Sequence, residues 1–184
     1  MPDHELLAAV AAGDRSAFER LYERFEKRAF QYALSIVRDR FVAEEVLVDA
    51  MTSVWHGAAR FGGQSQVSTW ILGIARHKAL DALRRKMRSS QDEPLEESGE
   101  LVDPLDTPAQ SAERSSTSDL ARRALALLSA DHQEIVRLAF FEELPYEDIA
   151  TLLSIPVNTV KTRVHYAKQH LKRHLAELAP AETA

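Results

Sequence analysis

The chain has 184 residues, 45% of them hydrophobic and 28% charged, with a formal net charge of −5 and no cysteine. That length holds one or two small domains, and the missing cysteine excludes disulfides, thiolate catalysis and Cys-ligated zinc. No apolar stretch approaches membrane-spanning length, and the N-terminus lacks a signal peptide's basic-then-apolar layout, so a cytoplasmic chain without direct membrane insertion is expected.

Leu, Ala, Glu and Arg dominate and glycine is scarce, which favours helix throughout. Asp3 to Ala12 predicts a short helix with Asp3 as its cap, and Gly13-Asp14 ends it and caps the next. Arg15 to about Arg38 carries a continuous apolar stripe through Phe18, Leu21, Tyr22, Phe25, Ala29, Tyr32, Ala33 and Ile36. Phe41 to about Arg60 predicts a third helix. Phe61 to Gln66 is a polar, glycine-containing loop, and Val67 to about Met87 a fourth helix, buried through Val67, Trp70, Ile71, Ile74 and Ala75. Four helices on short turns predict a compact bundle over residues 1–88.

Residues 89–118 are rich in Ser, Pro, Gly, Asp and Glu and lack apolar periodicity, which predicts a flexible acidic linker. Asp119 to Leu128, Asp131 to Phe141, Tyr146 to Leu153 and Val157 to about Leu178 then predict a second bundle over 119–184, with Ser129 as an N-cap. The expected fold class is therefore all-α: two small helical bundles joined by the linker. There is no internal repeat.

The last two helices have the grammar of a helix-turn-helix. Ile149, Leu152 and Leu153 line a short amphipathic helix, and Ser154-Ile155-Pro156 breaks it. The following helix places Val160, Val164, Ala167, Leu171 and Leu175 on one stripe. Its opposite face carries Lys161, Thr162, Arg163, His165 and Lys168, and Asn158 and Thr159 stand at its start. Cations for phosphate beside Thr, Arg and Asn for base edges suit a DNA major groove; the alternative is a helical hairpin with a solvated basic face. The acidic total does not decide the matter. Arg76 to Arg88 and Lys161 to Arg173 are local basic patches, and DNA responds to a patch within about 8–10 Å.

A second polar and cationic set lies at the fourth helix. Gln64, Ser65, Gln66, Ser68 and Thr69 stand at its entrance, then Trp70, then Arg76, His77, Asp81, Arg84 and Arg85. Hydrogen-bonding groups beside cations and an aromatic suit unstacked single-stranded bases. Core packing is the competing role for Trp70, and a solvated face for the cations.

Trp70-Ile-Leu-Gly-Ile-Ala-Arg-His-Lys-Ala-Leu-Asp-Ala-Leu-Arg-Arg85 resembles the promoter-melting helix of bacterial extracytoplasmic-function (ECF) sigma factors, whose pattern is roughly T-W-L-x-x-I-A-R-N-x-x-x-D-x-x-R-R. Ala43 to Trp55 resembles the family's polymerase-binding segment, and Leu128 to His170 its C-terminal helix-turn-helix domain. The departures are His77 where the family usually has Asn, Val48-Asp49 for Gln-Glu, and Met51 for Phe. The resemblance implies a two-domain initiation factor without enzymatic activity. Residues 1–88 would be its region 2-like domain and 119–184 its region 4-like domain. It implies that Glu44, Glu45, Val48, Asp49 and Trp55 meet core RNA polymerase at the clamp, with a further contact at the flap. Gln64–Thr69 and the Arg76–Arg85 face would take −10 promoter DNA, and Asn158–Lys168 the −35 element. It implies an anti-sigma factor as a further partner. A duplex-only helix-turn-helix regulator and a sigma-mimicking adaptor are the alternatives.

No Gly-rich phosphate loop, His-Glu-x-x-His or serine elbow occurs, so no catalytic residue and no cofactor are expected. His170 and His174 sit at i,i+4 without a cysteine or carboxylate at suitable spacing, so no metal is expected.

Overall fold

A computed structural model describes residues 1–92 and 116–179, and among these there are helices and turns but no strand. The chain divides into two compact units, 1–104 and 105–184. Most of the residues assigned to the acidic linker lie outside the described residues.

The first unit is built from α1 (Asp3–Ala11), α2 (Arg15–Val37), α3 (Arg40–Gly57), a 3₁₀ turn (Ala58–Arg60) and α4 (Val67–Asp92). Pro2, and not Asp3, precedes α1; Asp3 is its first residue, and its carboxylate pairs with Arg24 of α2. The Gly13-Asp14 signal acts as read. Gly13 takes φ +88°, and Asp14 caps α2 by accepting from the Ala17 N–H at 3.1 Å. Arg38 ends α2 in the left-handed region, and Asp39 caps α3 by accepting from Val42. The helical run of α4 continues to Asp92, past the Met87 at which the apolar stripe ends.

α2, α3 and α4 pack on one another around two apolar clusters. One joins Leu6, Leu7, Val10, Leu21, Phe25, Met51, Val54 and Ile71; the other joins Leu34, Val37, Val46, Ala79 and Ala82. Between them Ala29, Ala50 and Ala75 meet, one from each helix. Small residues at a crossing let helix axes approach closely. The larger side chains on either side then interlock, and α4 is fixed with its Gly73, His77 and Arg84 side outward.

The second unit contains α5 (Ser116–Ala126), α6 (Ala130–Val136), a π-helical turn (Arg137–Phe141), α7 (Tyr146–Leu153) and α8 (Val157–Leu178). α5 starts three residues before the expected Asp119. Ser129 caps α6 by accepting from the His132 N–H at 3.3 Å. Ala124, Leu128, Ile135, Leu138, Leu144, Ile149, Val160, Val164 and Ala167 are buried. The π turn carries a buried ion pair, Arg137 with Glu142 at 3.9 Å.

Candidate nucleic-acid interface

The turn of the helix-turn-helix is made by Ser154, not by the proline alone. Ser154 adopts φ +55°, and the Ile155 N–H reaches back to the Ala150 carbonyl at 3.0 Å. Pro156 then precedes α8, and its carbonyl accepts from the Thr159 and Val160 N–H groups. This pins the start of α8 with Val160, Val164 and Ala167 inward.

The opposite side of α8 exposes Asn158, Lys161, Thr162, His165 and Lys168 together. Thr162 donates to the Asn158 carbonyl at 2.9 Å, His165 meets Gln169 at 3.0 Å, and the Lys168 ammonium lies 4.9 Å from the Phe140 ring centroid. Arg163 departs from the expected front. It is two-thirds covered and turns to α6, where its guanidinium pairs with Asp131 at 3.0 Å. A helical step of 100° carries residue 163 past the exposed arc, onto the shoulder shared with the half-buried Thr159 and His170.

Imidazoles continue that shoulder. The His132 and His170 ring centroids are 5.3 Å apart, those of His170 and His174 are 6.4 Å apart, and His174 meets Glu177 at 3.4 Å. The pKa of His132 is lowered, chiefly by burial and then by His170; Asp131 opposes this and Arg163 adds to it. Among the described residues no group of three His, Asp or Glu side chains is placed to hold a metal ion.

In the first unit the loop before α4 is polar and mostly exposed at Gln64 and Gln66, and half-buried at Ser65. Ser68 and Thr69 differ from the expectation of groups offered at the helix entrance. They are buried, with 7% and 3% exposure. The first turn of α4 points them inward, beside Val67, and the Ser68 hydroxyl lies 3.4 Å from Gln66 Oε1. Trp70 is half-buried. A Cβ added at Gly57 would come within 3.3 Å of its indole, and its ring lies 5.2 Å from Phe61. Further along, His77 Nε2 is 3.3 Å from Asp81 Oδ2, and Arg84 donates to Asp81 Oδ1 at 2.6 Å. Arg85 is exposed and Arg76 half-buried.

The outer side of α3 presents Phe41, Glu44, Glu45, Val48, Asp49 and Thr52 at helical spacing. Phe41 is 78% and Val48 59% exposed. Trp55 does not join this stripe: it is half-buried, edge-on to Phe18 at 5.2 Å. Sequence reasoning took Phe41 only as a helix start. The signal that finds it is its i,i+3,i+4,i+7 spacing to Glu44, Glu45 and Val48.

Two separately packed helices thus carry outward cationic faces, one beside a polar loop and aromatics, the other in a helix-turn-helix. Residues 21–89 match the sigma-70 region 2 model and residues 118–171 the sigma-70 region 4 model. The chain is 33% identical over 176 residues to the ECF RNA polymerase sigma factor SigM of Mycobacterium tuberculosis, covering 96% of this chain and 86% of that protein. The chain belongs to the ECF sigma factor family. It is also 30% identical over 166 residues to the ECF sigma factor RpoE of Cereibacter sphaeroides, covering 89% of this chain and 88% of that one. A solved structure of the sigma factor RpoE with the anti-sigma factor NepR from Bartonella quintana shares the fold. Its TM-score is 0.70 at 23% identity, over 89% of this chain and 98% of that one. ECF sigma factors are non-enzymatic initiation factors that bind core RNA polymerase and promoter DNA. Among the described residues no helix is long and apolar enough to cross a membrane.

Proposed function

We propose that the two cationic helices divide promoter recognition between them. α8 reads duplex DNA at the −35 element through Asn158, Lys161, Thr162 and His165, with Lys168 on phosphate. The loop of Gln64, Ser65 and Gln66 and the outer face of α4 take separated non-template bases at the −10 element, and Arg76, Arg84 and Arg85 attract phosphate. Buried Ser68 and Thr69 set the loop's position, and Arg163 sets that of α8. The α3 stripe of Phe41, Glu44, Glu45, Val48 and Asp49 docks on the polymerase clamp, Trp55 supports it from within, and the second unit meets the flap. The acidic linker runs through polymerase. An anti-sigma factor holds the chain inactive by covering the α3 stripe, α8 or both, and the protein works in the cytoplasm.

The observation that carries this reading is the pairing of α4 with α8. A duplex-only regulator needs one cationic reading helix; this chain has a second, beside a polar loop and a half-buried indole, which suits unstacked bases. Permanganate footprinting with core polymerase on a matched promoter tests it. Reactive thymines across the −10 element are expected. Duplex binding without opening, with polymerase present, overturns strand capture and leaves a duplex-only regulator.

A further inference from the structure

The exposed face of α4 has a gap in it. Trp70, Gly73, His77 and Arg84 follow at spacings of three, four and seven residues and so share one side of the helix. Gly73 has no side chain, and a Cβ placed there would meet nothing within 4 Å. Glycine in a helix interior is less favourable than alanine by about 1 kcal/mol. No packing neighbour requires it here, and its φ is not positive. Its effect is a floor of bare backbone between the half-buried Trp70 and the exposed His77, over about 10 Å of helix.

The imidazole is held in place. His77 is 70% exposed, yet Nε2 is directed to Asp81, whose other oxygen is fixed by Arg84. A ring whose rotation is already restricted loses less entropy when it is used for binding. Imidazole and indole are both rings on which an unstacked base lies flat, and glycine lets a ligand approach the backbone closely. The family pattern places Asn where this chain has His77; an amide offers hydrogen bonds but no ring.

We infer that Gly73 and His77 form a notch in which one unpaired DNA base lies over the backbone and stacks on the His77 ring, with Asp81 and Arg84 as positioning residues. This rests on the proposed strand capture by α4 and specifies where one captured base sits. A side chain filling the notch then blocks opening, whereas a different flat ring at 77 preserves it.

The test uses holoenzyme assembled from core polymerase and the full chain, on promoters carrying 2-aminopurine singly at each −10 position. Gly73→Leu fills the notch with a good helix former, so the melting transition is expected at or slightly above that of wild type and −35 duplex affinity is expected to match it. Gly73→Leu and His77→Ala are expected to slow open-complex formation roughly tenfold and to change the 2-aminopurine signal at one position, while His77→Phe stays within about twofold of wild type. The notch is overturned if folded Gly73→Leu opens promoters at the wild-type rate with an unchanged fluorescence pattern. It is equally overturned if His77→Phe is as slow as His77→Ala, since charge or hydrogen bonding would then be the contribution. Should wild-type holoenzyme open no promoter, strand capture itself fails and the notch with it.

Discussion

α4 and α8 are both long amphipathic helices with a cationic outer face, yet they are held by different physics. The back of α4 is set mainly in apolar contacts, through Ile71, Leu72, Ala75, Ala79 and Ala82, with buried Ser68 and Thr69 at its start and Lys86 paired with Asp39 at 3.5 Å near its end. α8 has an apolar back of Val160, Val164 and Ala167, but one shoulder is polar: Arg163 on Asp131, His170 beside His132, His174 on Glu177. Apolar burial is indifferent to protons and weakly dependent on salt, whereas ion pairs and imidazoles respond to both. Two cationic helices in one chain therefore differ in which conditions disturb them.

The largest contrast comes from the apolar backs. Ile71→Ala empties a fully buried site between α4 and its neighbours and is expected to cost the first unit about 2–5 kcal/mol. Both tryptophans, Trp55 and Trp70, lie in that unit, so tryptophan fluorescence, excited selectively over tyrosine, reports that unit alone during denaturation. Opening should fail while −35 duplex binding persists. A fluorescence transition at the wild-type denaturant concentration would show that α4 is not held by this burial.

On α8, Lys161 is exposed and pairs with no carboxylate among the described residues, so its substitution should act on phosphate and not on folding. Lys161→Ala is expected to weaken −35 binding similarly across sequences and to reduce the slope of log affinity against log salt by about 1. Binding isotherms at several salt concentrations measure this. An unchanged slope removes Lys161 from the phosphate contacts.

Arg163 sharpens the comparison, because two roles predict different numbers. As the shoulder clamp with Asp131, a half-exposed pair, it should show a coupling of only about 0.2–1 kcal/mol in a stability double-mutant cycle with Asp131→Asn. As a base reader, Arg163→Ala would instead cost about 1–3 kcal/mol of binding and relax preference at a single base pair. The geometry favours the clamp. Loss of discrimination at one position without coupling to Asp131 would restore Arg163 to the reading face.

Arg163 also marks where legibility in the sequence ends. The helices, the Asp14 and Ser129 caps and the helix-turn-helix follow from apolar period and cap chemistry, which are local properties of the chain. The orientation of a shoulder residue depends on what a neighbouring helix offers, here Asp131, and no local pattern encodes that. Ser68 and Thr69 fail for the same reason: short polar side chains at a helix entrance look available until the bundle closes over them. Trp55 turns inward on Phe18 and Phe41 stays outward once the α2–α3 packing is seen, because an aromatic reads as core or surface only with its partner in view. The outward positions Lys161, His165, His77 and Arg84 were legible because amphipathic spacing alone fixes them.

The smallest expected effect is the acid response of the polar shoulder. Burial, with His170 and Arg163 adding to it, lowers the pKa of His132 below the ordinary histidine value of 6.5, and Asp131 offsets this in part. His174, Glu177 and Arg173 extend the same side of α8. In the folded unit His132 therefore stays neutral at a pH where the unfolded chain has already bound its proton. Between the ordinary value and the lowered one the unfolded state holds more protons, so stability falls as pH drops below about 6.5 and is fully present above it. Protonated His132 would also face His170 and Arg163 across the α6–α8 contact, loosening the shoulder that aims α8. Hydrogen exchange of the Val164–Ala167 amides, compared at about pH 7.5 and about pH 5.5 after correction for intrinsic rates, reads this. Protection is expected to fall on acidification in the wild type and to fall less in His132→Gln, which keeps a polar group but cannot titrate. α4 supplies the internal control, since the Ala75 and Ala79 amides lie over an apolar interface and should keep their protection across the same range. Equal loss of protection at α4 and α8, or the same loss in His132→Gln as in wild type, would mean that the polar shoulder does not distinguish the two helices.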